Sequence, residues 1–197
     1  VVAAGLDSTL LYATLTAAIL AKHSADRYDD AVVGAADDLG AAPSSSPAYV
    51  HVAFQAPHGP NWGDNAPPSG YFSDALAAQI EAAAGGVADR EAALKVIYMV
   101  DLAVGQIDAA LADSGLRNKS VVVFASDNGG CPTQSGTMNY PLRGAKLSLF
   151  EGGVRLPAFV YAPGYMAAAR RGATYHGLVH ATDWLPTLLE AAGASAP

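Results

Sequence analysis

The longest periodic stretch of the sequence is EAALKVIYMVDLAVGQIDAALADSG, which predicts an amphipathic helix. Its large apolar residues recur every three or four positions, as they do on one face of a helix: Ile97, Val100, Val104, Ile107 and Leu111. Gly115 stands where a left-handed residue commonly ends a helix, and Leu116 can make the accompanying apolar contact. We therefore expect a long core helix that stops at Gly115.

A second helix is predicted near the start of the sequence, with Asp7 or Ser8 as its N-cap and an end near Lys22. Its apolar stripe predicts a core-facing side: Leu11, Leu15, Ala18 and Ile19. The apolar stretch is shorter than the about 20 residues that cross a bilayer, so we predict no membrane span in this segment.

Short runs of β-branched and aromatic residues before and after the long helix predict buried strands. They are AYVHVAF (48–54), VVVFA (121–125) and the strand within LPAFVYAPG (156–164). Strand, helix and strand in this order favour a parallel βαβ unit, hence an α/β fold with a mostly parallel sheet sandwiched by helices. GAADDLGAAPSSSP (34–47) is predicted to be a loop, and HATDWLPTLLEAAG a helix with Asp183 near its start and Gly193 past its end.

The composition excludes several classes of protein. The 197 residues carry a formal net charge of −7 without a cluster of Lys and Arg, which argues against a nucleic-acid partner or a charged membrane surface. Cys131 is the single cysteine, so an internal disulfide and a multi-cysteine zinc site are both excluded.

Polar residues that can do chemistry follow two of the predicted strands. His58 follows the first, and Asp127 and Asn128 of SDNGG follow the second. Ligands of open α/β sheets bind beyond the carboxyl ends of the strands, and carboxylate and amide oxygens suit Ca²⁺ or Mg²⁺. A simple turn explains SDNGG as well, and a solvated side chain explains His58, so the local sequence leaves these alternatives open.

The segment NYPLRGAKLSLFEGGVRLPAFVYAPG (139–164) combines positive charge with paired glycines, as an anion-binding element does. Lys146 is a compact positive charge, whereas Arg143 and Arg155 are forked donors. Either arginine can instead form a structural ion pair with Glu151, which we favour over substrate contact. Asn118 begins a possible glycosylation sequon.

Four blocks of the sequence, taken in order, resemble the catalytic domain of the type I sulfatases, especially the arylsulfatase B-like group. They are HVAFQAPHGP, VVVFASDNGG, YPLRGAKLSLFEGGVRLPAFVYAPG and HATDWLPTLLEAAG. The resemblance implies an alkaline-phosphatase-like fold and a sulfuric ester hydrolase that binds one Ca²⁺. The implied substrate is a sulfated small molecule or glycan.

The resemblance also implies roles for individual residues. Asp127 and Asn128 match calcium ligands, His58 matches the histidine that contacts the sulfate and protonates the leaving oxygen, and Lys146 matches the lysine that binds the sulfate. These roles agree with the chemistry of the side chains, since a lysine clamps an oxyanion and a histidine exchanges a proton near neutral pH.

Two family features have no counterpart in the sequence. The family nucleophile is a formylglycine made within Cys/Ser-x-Pro-x-Arg, whereas Cys131 lies in CPTQS, and the early acidic pair of metal ligands is absent. We therefore expect residues 1–197 to be a partial catalytic domain, inactive alone, with the formylglycine and the remaining ligands N-terminal to it and a C-terminal subdomain beyond it.

Three alternatives for function remain open from the sequence. The leading one is a sulfatase; the others are a phosphodiesterase or phosphonate hydrolase of the same superfamily, and a non-catalytic sulfatase-like protein that binds a sulfated glycan. The resemblance suggests a secreted, lysosomal or periplasmic compartment.

Overall fold

The computed structural model describes residues 8–25, 47–59, 67, 70–132 and 137–194. The elements, in chain order, are α1 (Ser8–Ala25), α2 (Asp74–Ala84), α3 (Ala88–Asp113), β1 (Val122–Ala125), a helical turn (Glu151–Val154), β2 (Ala158–Tyr161) and α4 (Trp184–Ala191). Short 3-10 turns lie at Arg117–Lys119, Ala168–Arg170 and Ala181–Asp183. The predicted loop at 34–47 and the cap residue Asp7 lie outside the described residues, save for Pro47.

The predicted long helix is confirmed as α3, and it ends as the sequence indicates. Gly115 adopts a left-handed conformation with φ of 68°. The N–H of Leu116 donates to the carbonyl of Leu111 at 2.8 Å, which closes the helix end in a Schellman arrangement, and the Leu116 side chain is buried. The sequence therefore specifies the end of this helix locally.

The buried face of α3 is rotated from the predicted one. Val100 and Leu111 are buried as expected, but Ile97 is 45% exposed. The face includes small residues that a search for large apolar side chains overlooks: its buried members are Ala93, Val96, Met99, Val100, Ala103 and Leu111. Alanine lets a neighbouring backbone approach closely, so the face is decided by packing and not by hydrophobicity alone.

Helix α1 packs against α3, as does α2. Among the side chains described in α1, Ala13, Thr16 and Leu20 are buried, whereas Leu15 of the predicted stripe is 51% exposed. Ala13 joins Met99 and Ala103 in one buried cluster. At the far end of α3, Leu20 joins Leu111 and Leu116 in another. The predicted helix is confirmed, but its predicted stripe is wrong for Leu15 and Ala18, which are both exposed, and the side chain of Leu11 lies outside the described ones.

The two strands form an antiparallel pair in which Val122 lies opposite Tyr161 and Ala125 opposite Ala158. The rings of Phe124 and Phe159 stack across this pair with centroids 5.2 Å apart. Phe124 also packs against the cluster formed by α3, so the helix fixes the position of β1. The mostly parallel sheet expected from the sequence is not seen in the described ranges.

Residues 48–54 were predicted to be a strand, and this prediction is wrong, because the structure assigns no strand there. Alternating β-branched and aromatic residues favour an extended backbone, but a strand also needs a hydrogen-bonded neighbour. The segment is instead anchored by single side chains: Phe54 packs against α3 residues, and Ala56 is 6% exposed.

The predicted C-terminal helix is confirmed as α4 and is preceded by a reciprocal cap. The carboxylate of Asp183 accepts the N–H of His180 at 2.8 Å, and the ring of His180 accepts the N–H of Thr182. Gly193 follows the helix with φ of 79°. No helix within the described ranges is both long and apolar enough to span a bilayer.

Truncation of Met99 tests which face of α3 is buried in the core. Met99 is completely buried between α1 and α3, so Met99→Ala should lower the free energy of unfolding of the intact protein by about 2–5 kcal/mol. The matched control is Ile97→Ala on the same helix, where the 45% exposed side chain predicts a clearly smaller loss. Urea unfolding measures both, and equal losses would contradict the assigned face.

Candidate functional site

His58 lies in a turn that is fixed to α3. The N–H of His58 donates to the carbonyl of Gln55 at 2.9 Å, which closes the turn. Ala56, within the turn, is buried against Ala93, Val96 and Val100. The imidazole itself is exposed.

Asp127 and Asn128 follow β1 in a turn held by its own side chains. The N–H of Ser126 donates to the carbonyl of Pro157 at 3.2 Å, and its hydroxyl donates to the carbonyl of Asn128 at 3.1 Å. The amide nitrogen of Asn128 donates to the carbonyl of Gly129 at 3.1 Å. Within the described ranges the carboxylate of Asp127 accepts no hydrogen bond and forms no ion pair, so it is available to a ligand.

Gly129 is required because backbone approaches it too closely for a side chain. Its N–H donates to the carbonyl of Gly153 at 3.1 Å, and a Cβ on Gly129 would lie 1.8 Å from the carbonyl oxygen of Gly152. A Cβ on Gly152 would in turn lie 2.3 Å from the carbonyl oxygen of Gly144. The glycines therefore let the SDNGG turn, the RGAK segment (143–146) and the EGG turn (151–153) contact through their backbones.

Lys146 lies in a tight turn beside SDNGG. The N–H of Ser148 donates to the carbonyl of Ala145, and the hydroxyl of Ser148 accepts the N–H of Ala145, both at 3.0 Å. Leu147 has φ of 72°, a left-handed conformation that is uncommon for a leucine. The N–H of Lys146 donates to the carbonyl of Gly130 at 3.0 Å. The backbone of Lys146 is thus held against the SDNGG turn.

The side chains of Lys146 and His58 meet, although 88 residues separate them in the sequence. The distance from Lys146 Nζ to His58 Nε2 is 3.2 Å. A lysine ammonium donates hydrogen bonds, and a histidine ring nitrogen donates or accepts according to its tautomer. An amine and an imidazole, both able to bind or transfer a proton, therefore lie side by side at an exposed position, an arrangement suited to an anion whose oxygen needs a proton.

The two arginines of the 139–164 segment take structural roles. Arg155 pairs with Glu151 at 3.5 Å, as expected, and because both side chains are more than half exposed the pair contributes little stability. The guanidinium of Arg143 lies 4.1 Å from the ring centroid of Phe150. Cys131 is half-buried and forms no disulfide.

Asp127 and Asn128 fit a hard cation by donor type but supply only part of its coordination. No group of three or more His, Cys, Asp or Glu side chains that could hold a metal ion occurs within the described residues. Ca²⁺ takes six to eight oxygen ligands. The turn therefore offers one carboxylate and one amide oxygen to a cation, and a complete site needs further donors.

Sequence reasoning overlooked Ser148 and Asn139, which hold these loops in place. Ser148 closes the turn that carries Lys146, and the side-chain amide of Asn139 binds the backbone of Gly130. Serine and asparagine in glycine-rich loops commonly bond to backbone groups, which is the only signal the sequence offers. The partner of such a bond depends on the tertiary fold.

Comparison with protein-family models finds a match to the sulfatase family over residues 6–194. Mouse arylsulfatase J is 32% identical over 188 residues, which cover 95% of this chain and 26% of the mouse protein. A sulfatase of Formosa agariphila is 33% identical over 188 residues, covering 89% of this chain and 31% of that protein. The resemblance read from the four sequence blocks is therefore confirmed.

Solved structures give the same result. The crystal structure of Ps i-CgsB matches with a TM-score of 0.72 at 25% identity, covering 96% of this chain and 35% of that chain. Its complex with k-i-k-neocarrahexaose matches with a TM-score of 0.65 at 28% identity, covering 92% and 35%. The chain thus spans about a quarter to a third of the length of these relatives.

A methyl group added at Gly129 tests the backbone contact between the loops. Because its Cβ would lie 1.8 Å from the Gly152 carbonyl oxygen, Gly129→Ala should destabilise the intact protein by roughly 1–3 kcal/mol. Gly105→Ala is the control: this glycine lies in α3 with no heavy atom within 4 Å of an added Cβ, and the change should stabilise by up to about 1 kcal/mol. Thermal unfolding measures both, and a neutral Gly129→Ala would contradict the contact.

Proposed function

Because the chain belongs to the sulfatase family, we propose that it contributes one wall of a catalytic site that hydrolyses sulfate esters. The observation that carries the proposal is the contact between Lys146 and His58, at 3.2 Å, beside the turn that presents Asp127 and Asn128. Its relatives are named as sulfatases, which are sulfuric ester hydrolases. The family supports the reaction class, and the contact supports the proposed roles of the residues.

Lys146 binds the sulfate group in this proposal. Lys146 as a residue is partly buried, but its contact with the exposed His58 lies at the surface, so an anion can reach the lysine charge there. The backbone bond from Lys146 to Gly130 fixes where the side chain begins. A charge held in place before the substrate arrives stabilises the developing charge of the transition state without reorganisation.

His58 and Lys146 together supply the proton for the leaving group. Breaking the S–O bond of a sulfate ester leaves negative charge on the ester oxygen, and a proton donor nearby lowers that barrier. A lysine ammonium and a histidine ring each carry N–H protons that can serve as the source. The hydrogen bond between Nζ and Nε2 lets the two groups exchange a proton as charge develops.

Asp127 and Asn128 are proposed as two of the ligands of a calcium ion. The free carboxylate and the amide oxygen are donors of the kind that Ca²⁺ prefers, and both follow β1 directly. When bound, the ion would neutralise negative charge on the sulfate oxygens. The further ligands, and the formylglycine nucleophile, are proposed to come from residues outside these 197, since the Cys/Ser-x-Pro-x-Arg motif is absent from them.

The substrate class is proposed to be a sulfated saccharide or another sulfate monoester. The complex of Ps i-CgsB with k-i-k-neocarrahexaose supports a saccharide, because that structure covers 92% of this chain. An aryl sulfate serves as a general probe of the reaction, since its leaving group is easily followed.

Loss of either Lys146 or His58 should abolish most activity. In the intact protein, Lys146→Ala should lower kcat/KM for 4-nitrophenyl sulfate about 10²–10³-fold, and His58→Gln about 10²–10⁴-fold. Lys119→Ala, at an exposed position in the Arg117–Lys119 turn, is the control and should retain activity. Faster hydrolysis of bis(4-nitrophenyl) phosphate than of the sulfate would point to a phosphodiesterase and overturn the proposal.

Removal of the Asp127 charge should weaken calcium binding. Asp127→Asn keeps the shape but replaces a charged ligand by a neutral one, so the dissociation constant for Ca²⁺ should rise at least about tenfold, measured by calorimetry on the chelator-treated intact protein. Asp113→Asn, at the exposed end of α3, is the matched control. Equal affinities in the two variants would exclude Asp127 as a ligand.

A further inference from the structure

Asn139 joins the two loops that carry the candidate site residues. Its side-chain oxygen accepts the N–H of Gly130 at 2.8 Å, and its amide nitrogen donates to the carbonyl of Gly130 at 3.0 Å. The same nitrogen donates to the carbonyl of Gly144 at 3.3 Å. One side chain thus binds both backbone groups of Gly130, much as a neighbouring strand would, and also reaches the segment that precedes Lys146.

The carbonyl oxygen of Gly130 accepts two hydrogen bonds. Besides the one from the Asn139 side chain, it accepts the N–H of Lys146 at 3.0 Å. Gly130 follows Asn128 by two residues, and Gly144 precedes Lys146 by two. Each of the three hydrogen bonds of the Asn139 side chain therefore ends at a glycine two residues from Asn128 or from Lys146.

We propose that Asn139 is a positioning residue, which fixes Lys146 relative to Asp127 and Asn128. The proposal rests on the proposed function, because only that function makes the position of Lys146 matter for catalysis. The three hydrogen bonds of the Asn139 side chain, which we call the clamp, do not depend on that function. Asn139 reaches neither His58 nor the Lys146 ammonium by any hydrogen bond within the described residues. Its effect on catalysis is therefore indirect.

Asparagine suits this position because the three contacts need an acceptor and two donor hydrogens on one short planar group. Aspartate retains the acceptor for the Gly130 N–H but turns a second oxygen toward two carbonyl oxygens. Alanine removes all three contacts and leaves the N–H of Gly130 without this acceptor. The two variants therefore disturb the clamp in different ways, one by repulsion and one by loss.

The first experiment measures steady-state kinetics of the intact protein with 4-nitrophenyl sulfate. Asn139→Asp and Asn139→Ala should each lower kcat by about 10²-fold, because a small misplacement of a catalytic group costs that much. Asn118→Asp makes the same chemical change at an exposed asparagine that forms no side-chain hydrogen bond within the described ranges, and should retain kcat. Unchanged kcat in both Asn139 variants would overturn the proposal.

A double-variant comparison separates positioning from general destabilisation. In the Lys146→Ala background the lysine that the clamp positions is absent, so Asn139→Asp should lower kcat by clearly less than the about 10²-fold expected when Lys146 is present. An equal loss in the two backgrounds would mean that Asn139 acts on the whole fold, and would also overturn the proposal.

Amide hydrogen exchange tests the clamp without any activity. In Asn139→Ala, which removes the acceptor of the Gly130 N–H, the peptide that contains Gly130 should exchange roughly tenfold faster, the factor expected for a lost hydrogen bond. The Leu116 amide at the end of α3 is the internal control and should not change. Unchanged exchange at Gly130 refutes the clamp even in an active sulfatase, whereas faster exchange in a protein without sulfatase activity upholds the clamp and refutes only the proposed function.

Discussion

Burial of one face of α3 is the interaction on which the rest of the structure depends. Each of the three buried clusters contains α3 residues, and each joins the helix to another part of the chain. One cluster holds the turn before His58 through Ala56, and Phe124 of β1 packs against the same cluster. The helix contributes no candidate catalytic side chain, but it determines where the loops that do contribute them lie.

A second constraint acts between the loops themselves, and it is made almost wholly of backbone. SDNGG, RGAK and EGG approach so closely that no Cβ fits at Gly129 or Gly152. The polar side chains added to this contact, from Asn139 and Ser148, bind backbone groups as well. The site thus combines a rigid backbone junction with exposed functional groups, which is the preorganisation that anion-stabilising catalysis requires.

Features that depend on neighbouring residues in the sequence were predictable, whereas features that depend on tertiary contacts were not. The end of α3 at Gly115 was predictable because one left-handed residue terminates a helix. The exposure of Ile97 was not predictable, because the face of α3 that packs against α1 contains alanines, which a search for large apolar side chains overlooks. Residues 48–54 have a strand-like pattern, but pairing is a tertiary property. For the site, resemblance to a family marked His58 and Lys146 one at a time, and only the structure brings them together at 3.2 Å.

The distance along the chain between those two residues has a kinetic consequence. A contact that closes 88 residues carries a large loop-closure entropy, whereas the helix between its ends needs only local contacts to form. The pairing of Lys146 with His58 must therefore come late, after α3 has gathered its neighbours. A partly refolded chain would show nearly complete helical signal while the contact between Lys146 and His58 is still unformed, so this contact would report the last step of folding and not the first.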